Sequence, residues 1–272
     1  MKRIVYLLSS SLAAIFAFVH LYPQAKSYYQ ITRINQQRVQ APKNSNEVHL
    51  NMNLQHGVFI CYGQSNAGNF GSLNPQKTEN VYQLCEGKIY PFEVPACGSG
   101  GQGGNPWGQV GASLVKWGKF DDVTFANAAV GGANMRDLAS ETYLDYMILQ
   151  HKHLERIFGR VDGILMMQGE SDYGNSTHYA EAFTKMLARL QKQGVQSPIF
   201  LSQTSVCKQP HPDTLLVQAQ MQIAENYEQI YLGPNTDDIN FSGARYDYCH
   251  FSHAGLDSLA NAWAQVIVQA LN

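Results

Sequence analysis

A serine hydroxyl attacks an acyl carbon well only when a neighbouring base takes its proton. Ser65 is a candidate. It sits in "GQSN" (63–66), directly after the apolar run "GVFIC" (57–61). A candidate base lies far along the chain, in "DYCH" (247–250). There His250 can present one ring nitrogen to the serine, and Asp247, three residues earlier, can hold the other and stabilise the imidazolium. A tetrahedral intermediate also needs preorganised donors for its oxyanion. Two further stretches offer them: "AVGGANM" (129–135) through glycine N–H groups, and "QGESD" (168–172) through the Gln168 amide. The donor set would be the N–H of Ser65, the N–H of Gly132 (with Gly131 the alternative) and Gln168. The chemistry would be ester hydrolysis through an acyl-enzyme, with no metal or organic cofactor.

Taken singly, each stretch has an ordinary explanation. A Gly-x-Ser turn after a strand is commonly just a turn, paired glycines are commonly conformational, and Asp-x-x-His before a helix commonly caps it. Their joint placement carries more weight, because each must fall where a strand ends. Near-continuous apolar runs at 57–62, 122–130, 163–168, 198–203 and 229–233 predict strands buried on both faces. Between them, Leu144, Met147, Ile148, His151 and Leu154 repeat at helical spacing. So do Tyr179, Phe183, Met186, Leu187 and Leu190; residues 212–227 predict another helix, and Ser252 is placed to cap a last one. Strands alternating with helices predict an α/β fold: a three-layer α/β/α sandwich on a mostly parallel five-stranded sheet. In such folds ligands bind beyond the carboxyl ends of the strands.

These stretches together resemble the SGNH/GDSL hydrolase superfamily, and within it the sialate O-acetylesterase and carbohydrate esterase family 6 branch. "GQSN" is similar to the nucleophile block, "GGANM" to the glycine block, "QGESD" to the third block and "DYCHFSHAG" to the last. The likeness spans about residues 57–268. It implies Ser65 as nucleophile, His250 as base, Asp247 as its orienting acid, and Gly132 and Gln168 beside the Ser65 N–H in the oxyanion hole. It also implies a carbohydrate O-acetylesterase whose partner is an acetylated glycan. The glycine-rich stretch 97–114 is expected to form a mobile loop over the site. Trp107 within it is a candidate sugar-stacking platform, or packs on the domain itself, and Asn134 is a second candidate for substrate contact. Two rival readings stand beside this one. One is another short-chain esterase, lipase, thioesterase or acetyltransferase on the same scaffold; the other is a catalytically silent glycan-binding module.

Other residues invite chemistry less strongly. Glu170 and Asp172 form a carboxylate pair of the kind a glycosidase uses, or hydrogen-bond their own loop. His253 lacks an acid three residues before it. His151 and His153, two apart on a helix, point to different faces. Cys61 belongs to the first strand, where a buried thiol is expected.

The chain has 272 residues, a formal net charge of −2 and 15% charged residues. No concentrated basic face is present to neutralise phosphates, so nucleic acid is not an expected partner. Lys2 and Arg3 precede Ile4–Tyr22, which holds no Asp, Glu, Lys or Arg. As a helix that stretch would rise about 28 Å. Residues 1–23 therefore read as a membrane anchor or a signal segment, 24–56 as a polar stalk, and 57–272 as the esterase domain, exported to the cell envelope. Export permits disulfides: Cys85 with Cys97, across a short loop, and Cys207 with Cys249 are candidate pairs.

Overall fold

The computed structural model describes residues 38–73 and 78–271. The expected strands form: β1 (His56–Gly63), β4 (Asp122–Asn127), β5 (Gly163–Met167), β6 (Ile199–Gln203) and β7 (Ile230–Asn235). Two more, β2 (Val81–Cys85) and β3 (Lys88–Pro91), bring the sheet to seven strands in the order β3-β2-β4-β1-β5-β6-β7. All neighbours are parallel except the β2–β3 hairpin. The expected five strands were too few. The added pair is short, lies at one edge, and turns through Glu86 and Gly87, both at positive φ (49° and 80°). Such a hairpin carries no long apolar run.

Alternate residues of the central strand face opposite layers. Val58, Ile60 and Tyr62 pack with Leu144 and Met147 of α2 (Glu141–Phe158), Tyr179 and Phe183 of α3 (Ser176–Lys192), and Leu216 of α4 (Thr214–Asn226). Phe59 and Cys61 face Trp107 and Leu114 of α1 (Trp107–Lys116) and Leu259 and Trp263 of α5 (His253–Ala270). This is the three-layer α/β/α sandwich. The crossover from β1 to β4 carries α1 on one face, and the crossover from β4 back over β1 to β5 carries α2 on the other. Right-handed crossovers in opposite directions require that change of face. The reversal puts the carboxyl end of β1 at the sheet's switch point, where α/β folds open a crevice. Ser252 caps α5, accepting from Gly255 N–H at 3.2 Å.

Both candidate disulfides are present, Cys85–Cys97 and Cys207–Cys249, and Cys61 is free and buried. Of the stretch expected as a stalk, residues 38–56 run along the domain. The Arg38 guanidinium lies 3.2 Å from the Tyr146 ring centroid, Val39 N–H bonds to Ser99 O, and Val48 N–H to Ile89 O. Backbone groups that replace water with such partners are part of the fold. The 97–114 stretch is likewise not one long loop, because its second half is α1, entered through Asn105, whose Oδ1 accepts the Trp107 N–H at 3.0 Å. The anchor or signal segment, 1–23, and stalk residues 24–37 lie outside the described residues. Among the described residues no helix is long and apolar enough to cross a membrane.

Candidate active site

β1 ends at Gly63, at φ +141°, where an added Cβ would lie 1.9 Å from the carbonyl oxygen of Met167. Only glycine lets the strand finish so close to β5. One turn of 3-10 helix, Ser65–Ala67, follows. The first N–H groups of a helical turn have no intrahelical acceptor. Accordingly the Ser65 N–H finds no backbone acceptor among the described residues.

Neighbouring elements hold this turn on several sides. Gln64 Oε1 accepts the Ser171 N–H at 3.0 Å. The Ala67 carbonyl accepts from the Trp107 indole at 2.8 Å and the Asn127 amide at 3.1 Å. Asn66 Nδ2 donates to Glu170 Oε1 at 2.8 Å and to the carbonyl of Cys249 at 3.2 Å. Ser65 and His250 thus each lie one residue from a shared hydrogen bond, although 185 positions separate them in the chain (250 − 65).

The loop that carries His250 is closed at its base. Arg245 and Phe251 form an antiparallel bridge, and Tyr246 N–H donates to His250 O at 3.0 Å. Inside it, Asp247 Oδ1 accepts the N–H groups of Cys249 (3.0 Å) and His250 (2.7 Å), while Oδ2 meets His250 Nδ1 at 2.7 Å. Partial burial alone would raise the Asp247 pKa; the His250 N–H, its imidazole and the Cys249 N–H outweigh that and hold it below the usual carboxylate value. An ionised Asp247 only accepts, so Nδ1 must carry the proton. A neutral His250 then has its lone pair on Nε2, the tautomer a general base requires. The rings of Phe70 and Tyr246 lie nearly parallel to the imidazole, with centroids at 5.7 and 6.0 Å. Cys249, next to His250, is tied to Cys207 by the disulfide and through its carbonyl to Arg245 Nη1 as well as Asn66.

Gly131 and Gly132 are both exposed after β4. Gly132 has φ +72° with open space where a side chain would be, whereas a Cβ on Gly131 would lie 2.6 Å from the Phe70 ring. Asn134, expected to contact substrate, instead caps the single helical turn Met135–Leu138, accepting the Asp137 N–H at 2.9 Å. Its capping box with Asp137 accounts for the residue.

Two expected site residues stand elsewhere. Trp107 has no exposed surface, so no sugar can stack on it. Its ring packs 5.5 Å from that of Trp263 and its N–H supports the Ser65–Ala67 turn through the Ala67 carbonyl. Gln168 is likewise fully enclosed. Its amide nitrogen donates to Asp172 Oδ2 and lies 3.5 Å from the Ala133 carbonyl, so in this arrangement it offers no open donor. Asp172 in turn accepts the Met135 N–H at 2.7 Å. Gln168 and Asp172 therefore brace the glycine turn.

Glu170 and Asp172 are engaged in the same way and do not form an exposed carboxylate pair. Burial pushes both carboxyls above the usual range, against the pull of Asn66 on one and of Gln168 and the Met135 N–H on the other. Cys61 is enclosed, and burial drives its thiol well up. His151 is buried, with Nε2 2.9 Å from Ser197 Oγ, and His253 Nε2 meets the Leu73 carbonyl at 3.0 Å. Among the described residues no group of three or more His, Cys, Asp or Glu could hold a metal ion. Sequence reasoning missed Asn66 and Arg245. The only signal was a polar side chain directly beside each block, and nothing local says what it reaches.

A family profile described as carbohydrate esterase, sialic acid-specific acetylesterase, matches residues 102–269, well over half of the chain. That span holds Gly132, Gln168, Asp247 and His250; the "GQSN" turn lies before it. Among solved structures, a protein from Arabidopsis thaliana superposes with a TM-score of 0.64 at 14% identity, over 79% of this chain and 98% of that one. A variant of an acetyl xylan esterase from Geobacillus stearothermophilus gives 0.53 at 16%, over 78% and 94%. A protein from Parabacteroides merdae described as a GDSL-like lipase gives 0.52 at 15%, over 80% and 99%. At these identities the superpositions speak for a shared fold, which is the SGNH-hydrolase-like one. No curated protein matches the chain. The profile match, on the fold expected of it, assigns this chain to the family of carbohydrate esterases described as sialic acid-specific acetylesterases, hydrolases of ester bonds.

Proposed function

We propose that the protein removes O-acetyl groups from a glycan through an acetyl-enzyme intermediate on Ser65. Ser65 Oγ attacks the acetyl carbonyl carbon while His250 Nε2 takes its proton, and Asp247 stabilises the imidazolium formed. The oxyanion lies against the N–H groups of Ser65 and Gly132, which need no reorganisation when charge develops. As the tetrahedral centre collapses, the sugar oxygen leaves with the proton from His250. Water then attacks the acetyl ester, again giving its proton to His250, and acetate and the free serine result. Gln168 supports this set by bracing the glycine turn.

The observation that carries the reading is the 2.7 Å pairing of His250 Nδ1 with Asp247 on a loop fastened to the Ser65 turn by Asn66. A lipase reading would call for an enclosed apolar cleft for a long acyl chain. The ring surfaces in the 239–250 segment are instead open, with Phe241, Tyr246 and Tyr248 all exposed. The two disulfides support work in an oxidising compartment outside the cytoplasm.

A fluorophosphonate and an aryl acetate test the reading together. The wild type is expected to hydrolyse the acetate and to be labelled at Ser65, and Ser65→Ala to lose both while keeping its thermal transition. Hydrolysis by Ser65→Ala at the wild-type rate would put the nucleophile elsewhere.

A further inference from the structure

Tyr248 stands at the tip of the loop that Arg245 and Phe251 close. The turn that gathers the N–H groups of Cys249 and His250 onto Asp247 holds residue 248 in the left-handed region, at φ +65°. The Lys208 N–H fixes it there by donating to the Tyr248 carbonyl at 2.9 Å, and the Cys207–Cys249 disulfide lies beside it. Glycine or asparagine occupies that region at least cost; a residue with a bulky side chain does not. The turn thus explains the backbone but not the tyrosine.

The side chain has no structural duty to explain it either. Tyr248 is 82% exposed, more than any other large hydrophobic residue described. No hydrogen bond, ion pair or ring contact within the described residues engages its ring. A strained backbone holding an idle aromatic ring in water, two residues from the candidate base, is the kind of outlier that marks function. Tyr246, two residues before it, is also exposed; its ring lies along His250 and its hydroxyl donates to the Phe70 carbonyl at 2.8 Å.

A flat, open ring with a polar edge suits a pyranose, whose C–H face packs on aromatic carbon while its hydroxyls stay in water. It does not suit an acyl chain, which needs enclosure. We propose that Tyr248 is a stacking platform for a sugar ring next to the one that bears the acetyl group, so that the site selects acetylated oligosaccharide chains over small esters. This rests on the esterase reading above and adds to it the length of the substrate.

Kinetics of the full chain on p-nitrophenyl acetate and on acetylated xylo- and cello-oligosaccharides test it. Glycine fits φ +65°, so Tyr248→Gly is expected to fold and to melt no lower than the wild type. Its ratio of kcat/KM on oligosaccharide to kcat/KM on aryl acetate should fall about five- to tenfold, the size of one stacking contact. Tyr248→Phe, which keeps the ring, should restore the ratio. An unchanged ratio in Tyr248→Gly overturns the proposal. So does a wild type that cleaves the aryl acetate but none of the oligosaccharides, and the esterase reading then stands. A wild type inert on the aryl acetate removes both.

Discussion

The side-chain amide of Asn66 reaches the carbonyl of Cys249 at 3.2 Å, and the same nitrogen donates to the buried Glu170 at 2.8 Å. One short side chain therefore registers the turn of the candidate nucleophile against the loop of the candidate base. Asn66→Ala takes the side-chain donor from the buried Glu170 carboxyl, a loss of about 1–3 kcal/mol, and leaves the Cys249 carbonyl to Arg245 Nη1 alone. A merely structural role would lower the melting temperature alone. A positioning role also lowers kcat on an aryl acetate, and the rate of fluorophosphonate labelling at Ser65, with KM little changed. Full kcat in a folded Asn66→Ala protein would end that role.

Asp247→Asn tests the tautomer argument. The asparagine oxygen can still accept the two backbone N–H groups, but its nitrogen would face His250 Nδ1. The proton would then move to Nε2, where it blocks acceptance from Ser65. A drop in kcat of about 10,000-fold is expected. The stability effect has a defined sign. The folded pKa of Asp247 lies below the ordinary value of about 3.9. Its contribution is complete above that value and is lost as pH falls through the folded one. Urea midpoints of wild type and variant should therefore converge in strong acid; a constant gap down to the acid transition would contradict the pairing.

β1, β4, β5 and β6 are legible in the sequence because helices cover both faces of the sheet there, which makes their apolar runs nearly continuous, and the edge strand β7 keeps enough of such a run to be read. The β2–β3 hairpin is not, since four or five residues at an edge need no such run. Blocks with chemical side chains are visible for a similar local reason: Ser65, Asp247 and His250 each carry the right atoms. What those atoms rest on is not local. Asn66 finds partners 104 and 183 positions away, and Trp107 finds the Ala67 carbonyl 40 positions back. A tryptophan in a glycine-rich stretch looks like a free platform until the helix it begins is packed against α5. Gln168 has a donor's chemistry, yet Asp172, only four residues on, takes its nitrogen.

Glu170 makes the opposite prediction for pH. Burial raises its folded pKa above the ordinary value of about 4.3. The folded state then holds the proton to higher pH than the unfolded chain, so the cost of ionising it is absent below the unfolded value and grows as pH rises through the folded one. Glu170→Gln keeps the acceptor for Asn66 and removes that titration. Relative to wild type, the variant should gain stability as pH rises from about 4 toward neutrality. Parallel stability curves over that range would show that the carboxyl is not desolvated as described.

Gly131 and Gly132 can be separated by the space around each. Gly132 has no atom within 4 Å of an added Cβ but sits at φ +72°, so Gly132→Ala should cost about 1–2 kcal/mol of stability through backbone strain. Its N–H remains in place, and kcat should fall less than tenfold. Gly131→Ala carries no φ penalty, yet its Cβ would enter the Phe70 ring at 2.6 Å. Phe70 lies along the His250 imidazole, so the displaced ring disturbs the candidate base. The expected pattern is crossed: Gly132→Ala loses more stability than activity, and Gly131→Ala more activity than stability. Pairing Gly131→Ala with Phe70→Leu, which vacates the clashing ring edge, should recover part of the lost kcat. No recovery would mean that the alanine acts on the candidate oxyanion donors directly and not through Phe70 and His250.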